Sequence, residues 1–143
     1  MKKTTKKQIL SLFILIAFIG SSITFALLNT FSTQNPEDVW VARISIVIFE
    51  ELQTIPADVG VYNNTKDKLY TIAADNLVYK NTDEDVMLKD FFEIWEENFN
   101  YTCILEHCNN ENNTMRMYVN SLENFDYELY TIKDKDHVII DYR

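Results

Sequence analysis

The sequence predicts an α+β domain of two layers, one amphipathic helix across a mixed sheet, joined to a preceding membrane-spanning helix. Three observations predict it. Short segments rich in β-branched and aromatic residues stand on both sides of a single helical stripe, and a helix between strands packs onto one face of their sheet. The apolar run from Ile9 to Leu28, interrupted only by Ser11, Gly20, Ser21, Ser22 and Thr24, matches a bilayer's hydrocarbon core at about 1.5 Å per residue. The stretch beyond residue 38 is long enough to bury one core and too short for two.

The leading segment divides by charge. Lys2, Lys3, Lys6 and Lys7 make residues 1–8 a basic stretch, expected in the cytoplasm, with residues 9–28 as the anchor and everything beyond on the outer side. A cleavable signal peptide is the alternative, with an apolar region from Ile9 to Ile19, small residues Gly20 to Ser22 and a cut after Ala26. Either reading places the C-terminal body outside the cytoplasm. Residues 29–38, with Asn29, Thr30, Ser32, Thr33, Asn35 and Pro36, form a polar linker, so the folded domain spans 39–143.

Within that domain, Ile44, Ile46 and Ile48 alternate against Ser45 and Val47, a strand buried on one face, and Glu50 and Glu51 are expected to turn the chain. A second strand over Leu52 to Tyr62 is interrupted by Pro56, which confines it to an edge or a bend. Leu69 to Ala73 and Leu77 to Lys80 form a hairpin around Ala74, Asp75 and Asn76. Leu88, Phe91, Phe92, Trp95 and Phe99 then fall on one stripe of a helix, with Lys89, Asp90, Glu93, Glu96 and Glu97 opposite. Asp83, Glu84 and Asp85 precede it, where carboxylates complement the helix dipole and cap its free amides; a cation site is the alternative use. Met115, Met117 and Val119 alternate in a later strand, Asn120 to Asn124 turns, and Tyr127 to Ile132 and His137 to Tyr142 are extended around the charged turn Lys133 to Asp136.

Composition excludes several functions. With 2 glycines in the chain there is no glycine-rich phosphate cradle, which removes dinucleotide-binding and P-loop chemistry. Beyond residue 30 there are nine basic against 22 acidic side chains, a net −13 that repels phosphate backbones and disfavours nucleic acid as a partner. The basic residues of that body are scattered along the chain, which offers no membrane-binding run.

The candidate site residues are few. Cys103 and Cys108 in an extracytoplasmic domain are expected as a disulfide, whose short loop would contribute about 2 kcal/mol on a chain-entropy model. Cys103, His107 and Cys108, with Glu106 beside them, are the alternative metal site, and free thiols are a third possibility. His137 is expected at the surface, and the pairs Glu50/Glu51, Glu96/Glu97 and Asp134/Asp136 lie in polar contexts that read as solvated rather than as acid–base dyads. Asn63, Asn100 and Asn112 each open an N-x-T sequon, at a frequency near chance. No catalytic residue, metal or cofactor is assigned; the expected role is that of a non-catalytic accessory or interaction subunit of a membrane or envelope complex, with a metal- or small-ligand-binding protein of diverged site as the alternative, and the expected partners are the lipid around Ile9 to Leu28 and a membrane protein.

Two resemblances sharpen this. The ending "MYVNSLENFDYELYTIKDKDHVIIDY" resembles the last strands of β-grasp domains, which implies a β-grasp-like sheet; the chain closes on Asp141, Tyr142 and Arg143 rather than Gly-Gly, so the carrier chemistry of small members of that fold is not implied. A broader likeness covers residues 39–142. "TIPADVGV" at Thr54 to Val61, "LKDFFEIW" at Leu88 to Trp95, "CILEHC" at Cys103 to Cys108 and "MYVN" at Met117 to Asn120 resemble a family of small, exported, membrane-anchored proteins, mostly archaeal and uncharacterised. Members carry histidines on the first strand and the middle hairpin that suit a transition metal. Here those stretches read "VWVARISI" and "LYTIAADNLVYK", without histidine, so the resemblance implies the fold and no metal ligands.

Overall fold

The computed structural model describes residues 39–143, and the basic segment, the Ile9 to Leu28 anchor and the linker lie outside them. At the centre of a mixed sheet, β1 (Val41–Ile48) runs parallel to β11 (His137–Tyr142), in a register that pairs Arg43 with His137 and Ile48 with Tyr142. β9 (Met115–Val119) lies antiparallel on the far side of β11 and turns back into β10 (Leu122–Glu123). The free edge of β1 is shared: β6 (Leu77–Lys80) pairs with its first residues, and β2 (Glu51–Gln53) with its last. β5 (Leu69–Tyr70) completes the edge beyond β6. Two small hairpins, β3 (Val61–Tyr62) with β4 (Thr65–Lys66) and β7 (Cys103–Ile104) with β8 (His107–Cys108), stand off this sheet.

One face of the sheet is closed by helix α1 (Leu88–Trp95). Ala42, Ile44, Ile46 and Ile48 from β1, Val138 and Ile140 from β11, and Met115 and Met117 from β9 meet Leu88, Phe91 and Phe92 in a continuous core. Period-two alternation therefore does in the strands what the three-to-four spacing does in the helix: each presents one apolar face, and burying the two together stabilises both.

Several expected elements are shorter or displaced. The turn after β1 is Phe49 and Glu50, both left-handed at φ 50° and 70°, while Glu51 already belongs to β2. Two consecutive positive-φ residues give the type I′ geometry that matches strand twist, and the chain repeats the device at Asn63–Asn64 and Asn120–Ser121 with no glycine. The strand expected over Leu52 to Tyr62 ends at Gln53. Residues 54–60 instead form a loop fastened by buried polar side chains: the Thr71 hydroxyl donates to Pro56 O (2.7 Å) and accepts from Val59 N–H (3.0 Å), and Asn76 Oδ1 accepts from Ile55 N–H (3.0 Å). The helix stops at Trp95 because Glu96 turns left-handed (φ 62°) and Glu97 N–H returns to Phe92 O (3.0 Å). Phe99 thus reaches the core from a loop, its ring 4.6 Å from that of Phe92. Tyr127–Leu129 is a 3₁₀ turn rather than part of a strand, and β10 occupies the stretch expected as an open turn after Asn120.

The N-terminus of α1 is capped from inside the helix. Asp90, three residues beyond the Met87 cap, accepts the Met87 N–H (2.7 Å), whereas Asp83, Glu84 and Asp85 are exposed and make no cap. Asp90 also accepts from Lys68 Nζ (2.8 Å). Burial works to raise the Asp90 carboxyl, but the Lys68 and Met87 hydrogen bonds outweigh it and hold the group below its ordinary range. The same hydrogen bond raises the Lys68 ammonium.

Candidate functional site

The two histidines mark opposite ends of β11, roughly 17 Å apart at strand rise, and each end has its own constellation. At the C-terminal end, β7 and β8 face each other with Cys103 opposite Cys108, and the two sulfurs are joined in a disulfide with a Cα–Cα distance of 4.0 Å. Directly opposed antiparallel residues outside the hydrogen-bonded pairs approach this closely, so the hairpin itself brings the thiols together. In this oxidised form neither sulfur is available as a thiolate ligand. His107 packs instead between aromatic rings, 5.6 Å from Phe49 and 5.3 Å from Tyr142. The Tyr142 hydroxyl donates to Cys108 O (2.8 Å), which fastens the cross-linked hairpin to the last strand. Among the described residues no group of three His, Cys, Asp or Glu side chains is placed to hold a metal ion.

At the N-terminal end the expected solvation of Asp136 is corrected, for it is 5% exposed. Its Oδ1 accepts from Asn120 Nδ2 (2.9 Å), and its Oδ2 from the Tyr130 hydroxyl (2.7 Å) and Lys133 N–H (2.8 Å). Its carbonyl takes the Arg43 N–H (2.8 Å), so one residue ties the 3₁₀ segment, the β9–β10 turn and both central strands. Burial, followed by the hydrogen bond to Asp136, pushes the Tyr130 phenol up to about 12. Asp134, exposed, accepts the Val41 N–H (3.0 Å). Glu50, Glu51, Glu96 and Glu97 are exposed as expected.

Beside Asp136 opens a cleft of about 280 Å³ lined by Val41, Ala42, Arg43, Leu77, Lys135 and His137 as well. Arg43 and His137 are register partners, and Lys135 is drawn in by its N–H to Val41 O (2.8 Å). His137 is exposed, with Nε2 3.1 Å from the Ser45 hydroxyl. Arg43, Lys135 and His137 thus form one grouping in space, with the Asp134 and Asp75 carboxylates accepting from the N–H groups of the lining residues Val41 (3.0 Å) and Leu77 (3.1 Å). Sequence reading missed it, since basic residues scattered along the chain converge only when the first and last strands pair.

The sequons are placed unevenly. Asn63 and Asn112 are exposed, whereas Asn100 is half-buried, its Oδ1 accepting from Thr102 N–H (2.9 Å), the Thr102 hydroxyl (2.8 Å) and Cys103 N–H (3.0 Å).

Among the described residues no helix is long and apolar enough to cross a membrane. Comparison of the chain with protein-family models, with curated proteins and with solved structures finds no match, so what the chain shows is a small α+β domain with one main helix on a mixed sheet.

Proposed function

We propose that the chain is a membrane-tethered extracytoplasmic module, a non-catalytic accessory or interaction subunit of a membrane or envelope complex. The observation that carries this reading is the Cys103–Cys108 disulfide, since such bonds persist in oxidising compartments and are rare in the cytosol. The lysines before the apolar Ile9 to Leu28 run support the same orientation, with the −13 body outside. Two features support a non-catalytic role: the buried Asp136 carboxylate has its hydrogen bonds committed to scaffold groups, and both sulfurs are bonded to each other. Central first and last strands running parallel, with β2 and β6 antiparallel outside the first and β9 antiparallel outside the last, support a β-grasp-like description and the likeness to exported archaeal proteins.

The test is protease accessibility in intact cells that express the chain with an epitope after Arg143 and lack a protective coat. Loss of the epitope before lysis is expected. An epitope digested only after lysis would place the domain in the cytoplasm and refute the reading.

A further inference from the structure

We propose that Asn63 and Asn112 are N-glycan acceptor sites on the folded domain, and that the fold withholds the third sequon, Asn100. This rests on the reading of the domain as extracytoplasmic and assigns its exposed loops a modification.

What separates the three N-x-T sequons is where the fold puts them. Asn63 and Asn64, at φ 48° and 64°, are the two turn residues of the β3–β4 hairpin, a position beyond the paired ends of both strands. Asn63 and Thr65 are exposed there. Asn112 and Thr114 are exposed as well, in the loop between β8 and β9. That loop is held by Asn110, whose Oδ1 accepts from Asn112 N–H (2.9 Å) and Asn113 N–H (3.0 Å), so the Asn112 backbone is fixed without use of its side chain. Among the described residues, none of the Asn63, Thr65, Asn112 and Thr114 side chains enters a hydrogen bond. Asn100 carries the same sequence signal in the opposite setting. It and Thr102 are half-buried. Besides the three donors on its Oδ1, among them the Thr102 hydroxyl, its Nδ2 donates to Asn98 Oδ1 (3.3 Å) and its N–H to Cys103 O (3.0 Å). Cys103 is cross-linked to Cys108, which places this sequon at the foot of a closed hairpin.

The chemistry of transfer makes these differences count. The donor class is an oligosaccharide on a polyprenyl phosphate or pyrophosphate. A bond forms between asparagine Nδ2 and the sugar's anomeric carbon while that carbon's bond to the phosphate oxygen breaks; the phosphate leaves with the electron pair, and the amide loses one proton. An amide nitrogen is a poor nucleophile, because its lone pair is delocalised into the carbonyl. The side chain must therefore leave its surroundings and be held by the transferase, with the sequon hydroxyl recognised beside it. Asn63 and Asn112 exchange only water for that grip. Asn100 must first give up the three bonds on its Oδ1. Each net hydrogen bond holds a population by about fivefold, so transfer to Asn100 in the folded chain is expected to be about a hundredfold slower.

The test takes full-length chain in detergent micelles, made without glycosylation, and adds a single-subunit oligosaccharyltransferase with its lipid-linked oligosaccharide. Peptide mass spectrometry over time is expected to show glycan on Asn63 and Asn112, with Asn100 about a hundredfold behind. A synthetic peptide of residues 97–106, which carries the Asn100 sequon without the fold, should be modified readily. Asn63→Gln and Asn112→Gln should each remove one glycan, and circular dichroism of both variants confirms that they fold. Bare Asn63 or Asn112 in the folded chain overturns the proposal, as does modification of Asn100 within about fivefold of their rate. A peptide refused as firmly as the folded sequon overturns it too, since local sequence would then withhold Asn100. Protease topology is read in parallel in cells that glycosylate exported proteins at N-x-T. An outward-facing chain bare at both Asn63 and Asn112 overturns the proposal alone. An inward-facing chain, bare in cells yet modified at both positions by the added transferase, refutes the localisation alone and sustains the sites.

Discussion

Asp136→Ala is expected to be among the most damaging polar substitutions in the domain. It removes the acceptor for the Tyr130 hydroxyl, Asn120 Nδ2 and Lys133 N–H at a position 5% exposed. A stranded buried donor costs about 1–3 kcal/mol. Lys133 and Asn120 are exposed residues whose donors regain water on opening, and deleting the carboxylate relieves its own desolvation, so the net loss is about 2–4 kcal/mol rather than the sum of three full penalties. Asp136→Asn keeps the shape and one acceptor oxygen but turns an amide group toward donors, and is expected to cost about 1–2 kcal/mol. Urea unfolding of the full chain in detergent, followed by the fluorescence of Trp40 and Trp95, measures both, with the midpoint shifting and the slope unchanged. Tyr130 provides a second reading. Its phenol, held up to about 12 by burial and then by Asp136, should titrate lower in Asp136→Asn when followed by phenolate absorbance. With the folded value above the ordinary 10.0, the phenol's contribution to stability is whole below pH 10 and is lost as pH rises toward about 12. An Asp136→Ala protein within about 0.5 kcal/mol of the parent, or an unmoved phenol, would refute the assignment of this carboxylate as the tie between the central strands and the 3₁₀ segment.

Two further predictions concern backbone and helix start. Gly60 has φ 70°, and a Cβ there would lie 2.3 Å from Leu69 O, so Gly60→Ala should destabilise by more than about 2 kcal/mol in the same unfolding assay, while Asn64→Gly at φ 64° should be near neutral. Asp90→Ala removes the Met87 cap and the half-exposed Lys68 partner, and should cost about 1–2 kcal/mol at neutral pH. Because the folded Asp90 pKa lies below its ordinary 3.8, its contribution is present above that value and is lost as pH falls through the folded one. Parent and variant should therefore converge in acid, and a pH-independent gap would contradict the ion pair and cap.

The sequence by itself determined the elements whose chemistry is local. Ile44, Ile46 and Ile48 declare a buried strand face, Leu88, Phe91, Phe92 and Trp95 a helix, and Met115, Met117 and Val119 another strand, because side-chain period is a property of a short stretch of chain. Cys103 and Cys108 were readable as a pair because they are the chain's two cysteines, five residues apart in a body expected outside the cytoplasm, whereas the hairpin that sets them face to face is seen only in the fold. Local pattern overran where a backbone reversal won: Phe99 continues the helical spacing, yet Glu96 has already left the helix, and the spacing of apolar residues carries no mark of that left-handed residue. The β-branched run after Gln53 looked extended, but Thr71 and Asn76, more than ten residues away, hold it as a loop by hydrogen bonds that no local window contains. Only the tertiary structure decided that Asp136 is buried, that His107 sits between Phe49 and Tyr142, and that Arg43 meets Lys135 and His137. Each of these depends on the parallel pairing of β1 with β11, a contact across nearly the whole domain, and the free energy of such a pairing is distributed over the core rather than written at either strand.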